Sequence, residues 1–178
     1  MISLRPTNLH WINGPADDPA DLCAHSPVEF RIDADALLQP SDGDWTVSAA
    51  AVYLLRILSQ PHTKRTPVAQ HLFPHCGHGI FAVEGQDDVL ITGCNSGIDF
   101  EVVHVEKDVV VTAADGRVHR IAATDWKKAV CEFSDAVRAF YAASSPKEPT
   151  DEFDQQSFHK FLSEWSRRRA QAEDHLAG

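Results

Sequence analysis

Residues 98–121 read IDFEVVHVEKDVVVTAADGRVHRI and carry the clearest structural signal in the chain. Apolar and polar residues alternate over 98–102, which is typical of a strand with one buried face. The apolar runs 109–112 and 118–121 lie on either side of Asp115-Gly116, a dipeptide that favours a tight hairpin because it tolerates positive φ. Short connections between successive strands predict antiparallel pairing.

Strand patterns continue on the N-terminal side of this stretch. The runs 80–83 and 89–92 lie on either side of a polar turn, and a turn with two glycines, 93–97, precedes Ile98. Residues 79–122 therefore predict an antiparallel β-meander of about five strands.

Helical patterns surround the meander. Residues 123–172 predict two C-terminal helices, since aromatic and aliphatic residues recur there at helical spacing. Residues 27–78 predict a strand at 28–32, a helix at 45–59 and a short second helix that begins at Thr66-Pro67.

The whole chain, residues 1–178, is expected to form one α+β domain in which the meander packs against the N-terminal and C-terminal helices. Residues 1–26 are rich in Pro, Asp and Asn and predict an irregular segment that crosses the surface. The predicted core consists of apolar side chains on helix faces and strands: Leu54, Leu55, Leu58, Phe100, Val110, Val130, Phe133, Val137, Phe161 and Trp165.

The chain is acidic. Twenty-six Asp and Glu residues against sixteen Lys and Arg residues give a net charge of −10, which opposes binding to nucleic acids or anionic membranes. No stretch reaches the roughly 18 apolar residues of a membrane helix, and the N-terminus lacks the pattern of a secretory signal. We therefore expect a cytoplasmic protein with no membrane or nucleic-acid partner, whose four cysteines are reduced thiols.

The acidic excess is concentrated in residues 79–135, which contain eleven acidic and five basic residues. The solvent-facing side of the meander is thus expected to be anionic. Such a face would attract a basic protein partner, although an acidic surface also serves solubility alone. The candidate partner-binding residues are Asp87, Asp88, Asp99, Glu101, Glu106 and Asp108.

Histidines and cysteines cluster in residues 71–78 and return at Cys94. Zinc prefers imidazole nitrogen and thiolate sulfur, and a structural zinc site uses four such ligands. The spacing fits no standard zinc module, so we expect no cofactor, with zinc as the alternative. The candidate ligands for that alternative are His71, His75, Cys76, His78 and Cys94, with Cys23 and His25 in reserve.

A thiol-dependent enzyme is a related hypothesis. Cys76 could act as a nucleophile with His78 as its base, close to Cys94. However, no third group is evident to orient the histidine, and the pattern matches no local signature of cysteine enzymes. A turn that leads into the first strand of the meander is the simpler interpretation, and we assign no catalytic residue. The sequence leaves enzymatic activity open and favours its absence.

Arg167, Arg168 and Arg169 form a basic run near the end of the last predicted helix. Three arginines in a chain of net negative charge are weak support for a nucleic-acid patch. We interpret them as a solvated helix end, where cations complement the helix dipole.

Three segments together resemble bacterial immunity proteins: 71–78 with its histidines and Cys76, 93–100 with the sequence GCNSGIDF, and 126–141 with recurring aromatic and aliphatic residues. Proteins of this family are encoded beside polymorphic or contact-dependent toxins. They are acidic, cytosolic and non-catalytic, and they neutralise a cognate toxin by binding it. The resemblance implies an inhibitor of a basic toxin domain and assigns no role to any single residue. The alternatives are an enzyme centred on Cys76, His78 and Cys94, and a structural subunit.

Overall fold

The computed structural model describes residues 1–14, 16–76 and 79–174. These ranges combine helices with antiparallel strands, which confirms the α+β class. The strands are β1 (Ile2–Pro6), β2 (His25–Ser26), β3 (Val28–Ile32), β4 (Asp35–Leu38), β5 (Trp45–Thr46), β6 (Phe73–Pro74), β7 (Gly79–Ala82), β8 (Val89–Thr92), β9 (Gly97–Ile98), β10 (Phe100–Val105), β11 (Asp108–Ala113) and β12 (Val118–Ala122). The helices are α1 (Val47–Arg56), α2 (Ala123–Ala143) and α3 (Glu152–Asp174).

The strands predicted within residues 79–122 are all present, but they belong to several small sheets. β10, β11 and β12 form a three-stranded antiparallel sheet, β7 pairs with β8, and β9 pairs with β6. The meander is interrupted because β9 pairs with β6, which precedes residue 79, and β8 pairs only with β7 among the described strands.

One face of the β10–β12 sheet contributes to the core. Val102 and Val111 lie opposite each other, and both are buried. Val109 is also buried, whereas Val110 is half-exposed, because successive side chains on a strand point to opposite faces. The prediction that Val110 lies in the core is therefore wrong, and its neighbours Val109 and Val111 are the buried valines of this strand.

The N-terminus forms a strand over Ile2–Pro6, which corrects the prediction of an irregular segment there, whereas the described residues within 7–24 belong to no named strand or helix. β1 pairs antiparallel with β3, and β3 pairs with β4. Leu4 and Phe30 lie opposite each other in this sheet with buried side chains, and α2 packs against β1. The five residues of β1 end at Pro6, and such a short alternation is too weak to be recognised without its partner strand.

α1 is buried along its whole length. The predicted helix at 45–59 is confirmed over 47–56, while Trp45 and Thr46 form β5. The short second helix predicted from Thr66-Pro67 is wrong, since residues 66–72 form bends and irregular backbone. Backbone N–H groups in this segment bond to side chains outside it, as described below, and helical bonds do not form.

α2 and α3 complete one hydrophobic cluster with α1 and the strands. Phe133 on α2 and Trp165 on α3 are buried there. The predicted core is confirmed except for Val110 and for Leu58, which is half-buried against the cluster. Across the described ranges, no helix combines the length and the apolar character needed to span a membrane.

Candidate functional site

The predicted histidine and cysteine cluster lies where a two-stranded ribbon is interrupted. The ribbon consists of residues 73–76 and 79–82 on one side and 89–98 on the other. Phe73 pairs with Ile98 before the interruption, and Gly79 pairs with Thr92 after it. The two pairs follow one continuous register.

The two sides of the ribbon are held together at the interruption by backbone bonds. The N–H of His75 donates to the carbonyl of Ser96 at 3.0 Å, and the N–H of Cys94 donates to the carbonyl of Cys76 at 3.2 Å. The same Cys94 N–H lies 3.2 Å from Cys76 Sγ. One donor atom from each of His75, Cys76 and Cys94 lies within 4.8 Å of the others, and we call these three residues the thiol cluster.

Three of the five candidate zinc ligands are thus brought together. His71 lies beside Gly97, where an added Cβ would approach the His71 Cβ to 2.7 Å, and it is not part of the thiol cluster. His78 lies outside the described residues. Gly97 is required at its position because any side chain would collide with this histidine and with the carbonyl of Phe73.

The two cysteines of the thiol cluster differ in acidity. Hydrogen bonding with the Cys76 side chain, supported by the backbone at Ser96, lowers the pKa of Cys94 to about 7. The same contact raises the pKa of Cys76. The lowered pKa favours the thiolate form of Cys94, and the thiolate is the form that binds metals and attacks electrophiles.

The reserve ligands lie apart from the thiol cluster. Cys23 is buried, and burial raises the pKa of its thiol to about 12. Burial also lowers the pKa of His25, which therefore stays neutral at pH 7. His25 Nε2 lies 3.3 Å from the hydroxyl of Thr46, which donates to the backbone carbonyl of His75.

Two of the acidic candidates, Asp99 and Glu101, hold the irregular segment 62–72 against β10. Asp99 Oδ1 accepts the backbone N–H of Leu72 at 3.1 Å, and Glu101 accepts the N–H of Lys64 at 3.0 Å. Of the two N–H groups, only that of Leu72 lies within the helix that the sequence predicts after Thr66, and it bonds to Asp99 and not to a helical carbonyl. The two carboxylates are therefore structural acceptors in the folded chain.

His62 is the centre of this segment, and sequence reasoning did not single it out. It is 1% exposed, and its Nε2 lies 3.0 Å from Asp99 Oδ1. Its Nδ1 accepts the N–H of Val68 at 3.0 Å, so the ring proton must be on Nε2 and is donated to Asp99. Because both ring nitrogens are occupied, the His62–Asp99 pair cannot serve as a general base. The residue lacks a local signal because its partners are distant in sequence.

The remaining acidic candidates lie at two other places. Glu106 and Asp108 lie at the opposite end of β10 from Glu101, roughly 15 Å away at about 3.3 Å per residue. Asp108 pairs with Arg120 at 2.8 Å, while Glu106 is exposed. Asp87 and Asp88 lie in the loop between β7 and β8. The six candidates therefore do not form one surface, and their role in binding stays a prediction.

Asp88 belongs to an ion-pair network between the ribbon and α3. Its two oxygens each lie 2.6 Å from an arginine of α3, Arg167 and Arg168. Arg168 also bonds to the buried Glu164, which pairs in turn with Arg56 of α1. We call this set the Glu164 network.

The network corrects the interpretation of the basic run as a solvated helix end. Arg167 and Arg168 are engaged by Asp88, and Arg169 pairs with Asp135 of α2 and with Glu173. All three arginines thus have acidic partners within the protein, which removes them as a nucleic-acid patch.

An exposed apolar patch lies on the outer face of the ribbon. Phe81 and Leu90 are opposite each other on β7 and β8, and the Phe81 ring lies 6.1 Å from the ring of Phe153 at the start of α3. These three side chains are 37%, 53% and 54% exposed. The inner face of the same hairpin carries the buried Val89, so burial of one face leaves the other to solvent. We call Phe81, Leu90 and Phe153 the apolar patch.

Acidic residues flank the apolar patch. Glu84 and Asp87 lie in the hairpin loop beside it, and Glu152 precedes Phe153 in the chain. All three are exposed, and none has an ion-pair partner in the part of the chain that the structure describes. The patch therefore combines an apolar centre with three exposed acidic residues at its border.

Side chains of two helices fix the ribbon that carries the patch. Along the outer edge of β8, the carbonyl of Val89 accepts a bond from Arg56, and the carbonyl of Ile91 accepts one from Tyr53. On the β7 side, the N–H of Ala82 donates to Ser157 of α3 at 3.0 Å. Both edges of the hairpin are thus bound to helices, and its outer face is held in one orientation.

Comparisons of the chain with known protein families, with curated proteins and with solved structures find no match.

Proposed function

We propose that the protein is a non-catalytic binding protein of the immunity type, which acts in the cytoplasm and neutralises a basic toxin domain by docking to it. The observation that supports this proposal most directly is the apolar patch with its acidic border. Exposed aromatic side chains are the usual energetic centre of protein interfaces. Three large apolar side chains held together on a fixed ribbon are suited to that role.

The charges around the patch favour a basic partner. Glu84, Asp87 and Glu152 are exposed and have no ion-pair partner among the described residues, and the protein as a whole has a net charge of −10. Complementary charge at the border of an interface accelerates association and orients the partner. A toxin domain that binds nucleic-acid phosphates would carry the matching positive charge.

Two histidines in the described part of the chain, His62 and His75, support a binding function over catalysis. His62 has both ring nitrogens occupied. In the thiol cluster, His75 has no carboxylate partner among the described residues, and a nucleophile–base pair needs a third group to orient the base.

The proposal predicts that a toxin domain is encoded beside the gene for this protein, and the test is binding to that domain. The double substitution Phe81→Ser with Phe153→Ser should weaken binding by 100-fold or more, about 2.7 kcal/mol or greater, because it removes the proposed centre of the interface. The matched control is Val118→Ser on β12, which changes an exposed apolar residue, 63% exposed, away from the patch. Kinetics by biolayer interferometry provide the measurement.

Charge reversal at the acidic border tests whether long-range attraction accelerates association, separately from the apolar contact at the patch. Glu84→Lys with Asp87→Lys should slow association at low salt, and the difference from the wild type should shrink as salt is raised. Glu132→Lys reverses an exposed charge on α2 that is not among the candidate binding residues, and it should leave the rate nearly unchanged. If the patch variant and the wild type inhibit the toxin with equal affinity, or if no toxin domain is encoded beside the gene, the proposal is wrong.

A further inference from the structure

We propose that Cys76, Cys94 and His75 form a binding site for Zn²⁺ at the interruption of the ribbon. The proposal is independent of the docking function, because the thiol cluster and the apolar patch are formed by different residues. It narrows the five zinc ligands considered from sequence to three that the fold brings together.

The distances in the thiol cluster suit a zinc ion. The three donor atoms lie within 4.8 Å of one another. With Zn–S bonds of about 2.3 Å and tetrahedral angles, two zinc-bound sulfurs lie roughly 3.8 Å apart. The separations of the donors in the folded chain therefore exceed those of a zinc-bound pair of sulfurs by about 1 Å at most.

The donor types select the metal. Two thiols and one imidazole are the ligands that zinc prefers, whereas calcium and magnesium require oxygen ligands. The thiol cluster contains no carboxylate among the described residues. A thiophilic divalent ion is therefore the class of ligand that the site should bind.

The backbone around the thiol cluster is organised for this role. Bonds from His75 to Ser96 and from Cys94 to Cys76 hold the two sides of the ribbon at a fixed spacing. The N–H of Cys94 also lies 3.2 Å from Cys76 Sγ, which places a hydrogen-bond donor beside a metal-binding sulfur. Such bonds orient ligands and stabilise the charge of a thiolate on a metal.

The exposure of the thiol cluster defines the kind of site. His75 is exposed, and both cysteines are half-exposed. The three ligands among the described residues leave one coordination position of zinc without a described protein ligand, unlike the closed four-ligand sites that stabilise small domains. The ion should therefore bind reversibly to the folded chain, and its removal should not unfold the protein.

Cobalt provides the probe, because Co²⁺ takes the place of Zn²⁺ and reports thiolate ligation by a charge-transfer band in the near ultraviolet. Reduced wild-type protein should bind one Co²⁺ per chain with this band, and Zn²⁺ should displace it. Cys76→Ser and Cys94→Ser should each lose the band or most of its intensity, while His75→Ala should retain the band with reduced affinity. The matched control Cys131→Ser, a half-buried thiol on α2, should bind Co²⁺ as the wild type does.

A second measurement requires no variant and applies even if a cysteine substitution impairs folding. X-ray absorption of the wild-type protein with one equivalent of Zn²⁺ should show two sulfur ligands at about 2.3 Å. A first shell of only nitrogen and oxygen, retention of the cobalt band by both cysteine variants, or a Cys76–Cys94 disulfide in the zinc-saturated protein would each overturn the proposal.

Discussion

Glu164 shows how a single buried side chain connects three elements of the fold. Its carboxylate is fully buried on α3 and accepts bonds of 2.8 Å from both Nε and Nη2 of Arg56. It also accepts the backbone N–H of Val89 at 2.8 Å and the Nε of Arg168 at 2.7 Å. Burial of a carboxylate is costly unless its oxygens are bonded and its charge is paired, and both conditions are met here.

Glu164→Gln tests this arrangement. The substitution keeps the shape of the side chain but removes its charge, and it leaves the Arg56 guanidinium buried without a counter-ion. We expect the free energy of unfolding to fall by about 3–5 kcal/mol, as for other buried pairs that lose one partner. Urea unfolding followed by circular dichroism provides the measurement.

The control for Glu164 lies on the same helix. Glu173→Gln removes the charge that pairs with Arg169 at 2.9 Å, where the glutamate side chain is 66% exposed. An exposed pair contributes at most about 1 kcal/mol, so this variant should unfold near the wild-type midpoint. Equal losses in the two variants would show that burial of Glu164 does not determine its contribution.

α2 is the element around which the others are arranged. It packs against α1 and α3 and against β1, β11 and β12. Near its start, Trp126 lies 6.1 Å from Phe30 of β3, and in its middle Phe133 makes an edge-on contact with Phe73 of β6 at 5.8 Å. The helix thus joins the N-terminal sheet to the ribbon.

Phe133→Ala should therefore destabilise the protein strongly. The side chain is fully buried, and truncation of such a phenylalanine costs about 3–5 kcal/mol because it removes buried area and leaves a cavity. Phe153→Ala is the matched control, since this phenylalanine is 54% exposed and its loss should change stability by no more than about 0.5 kcal/mol. The change in denaturant midpoint distinguishes them, and an unchanged midpoint for Phe133→Ala would contradict the packing described.

At the scale of the whole molecule, the buried apolar side chains form one hydrophobic cluster that extends from Leu4 to Trp165. It contains residues of the N-terminal sheet, the β10–β12 sheet and all three helices. All four tryptophans are buried and are distributed over the chain: Trp11, Trp45, Trp126 and Trp165.

Because the core is continuous, we predict that residues 1–178 unfold as a single domain. Far-UV circular dichroism and tryptophan fluorescence should give coincident transitions in urea, as two-state unfolding requires. Phe133→Ala should shift both curves by the same amount. Two separated transitions, or a shift confined to one probe, would show that the chain contains independent folding units.

Local sequence pattern by itself determined the α+β class, the helices over 123–172 and the strands of the β10–β12 sheet. The spacing of apolar residues differs between helices and strands. In a segment of sufficient length, this spacing alone indicates which of the two forms. The sequence also identified His75, Cys76 and Cys94 as candidate zinc ligands, because the first two are neighbours in the chain and the third lies across one predicted hairpin.

The tertiary structure alone decided which elements become partners. β1 depends on β3, Arg56 meets Glu164 across 108 positions, and His62 meets Asp99 across 37. No local pattern encodes such contacts, since they arise only when the core forms and brings distant segments together. For the same reason a run of valines could not show that Val110 faces solvent. The apolar patch also became visible only once the inner face of the ribbon had been buried against the helices.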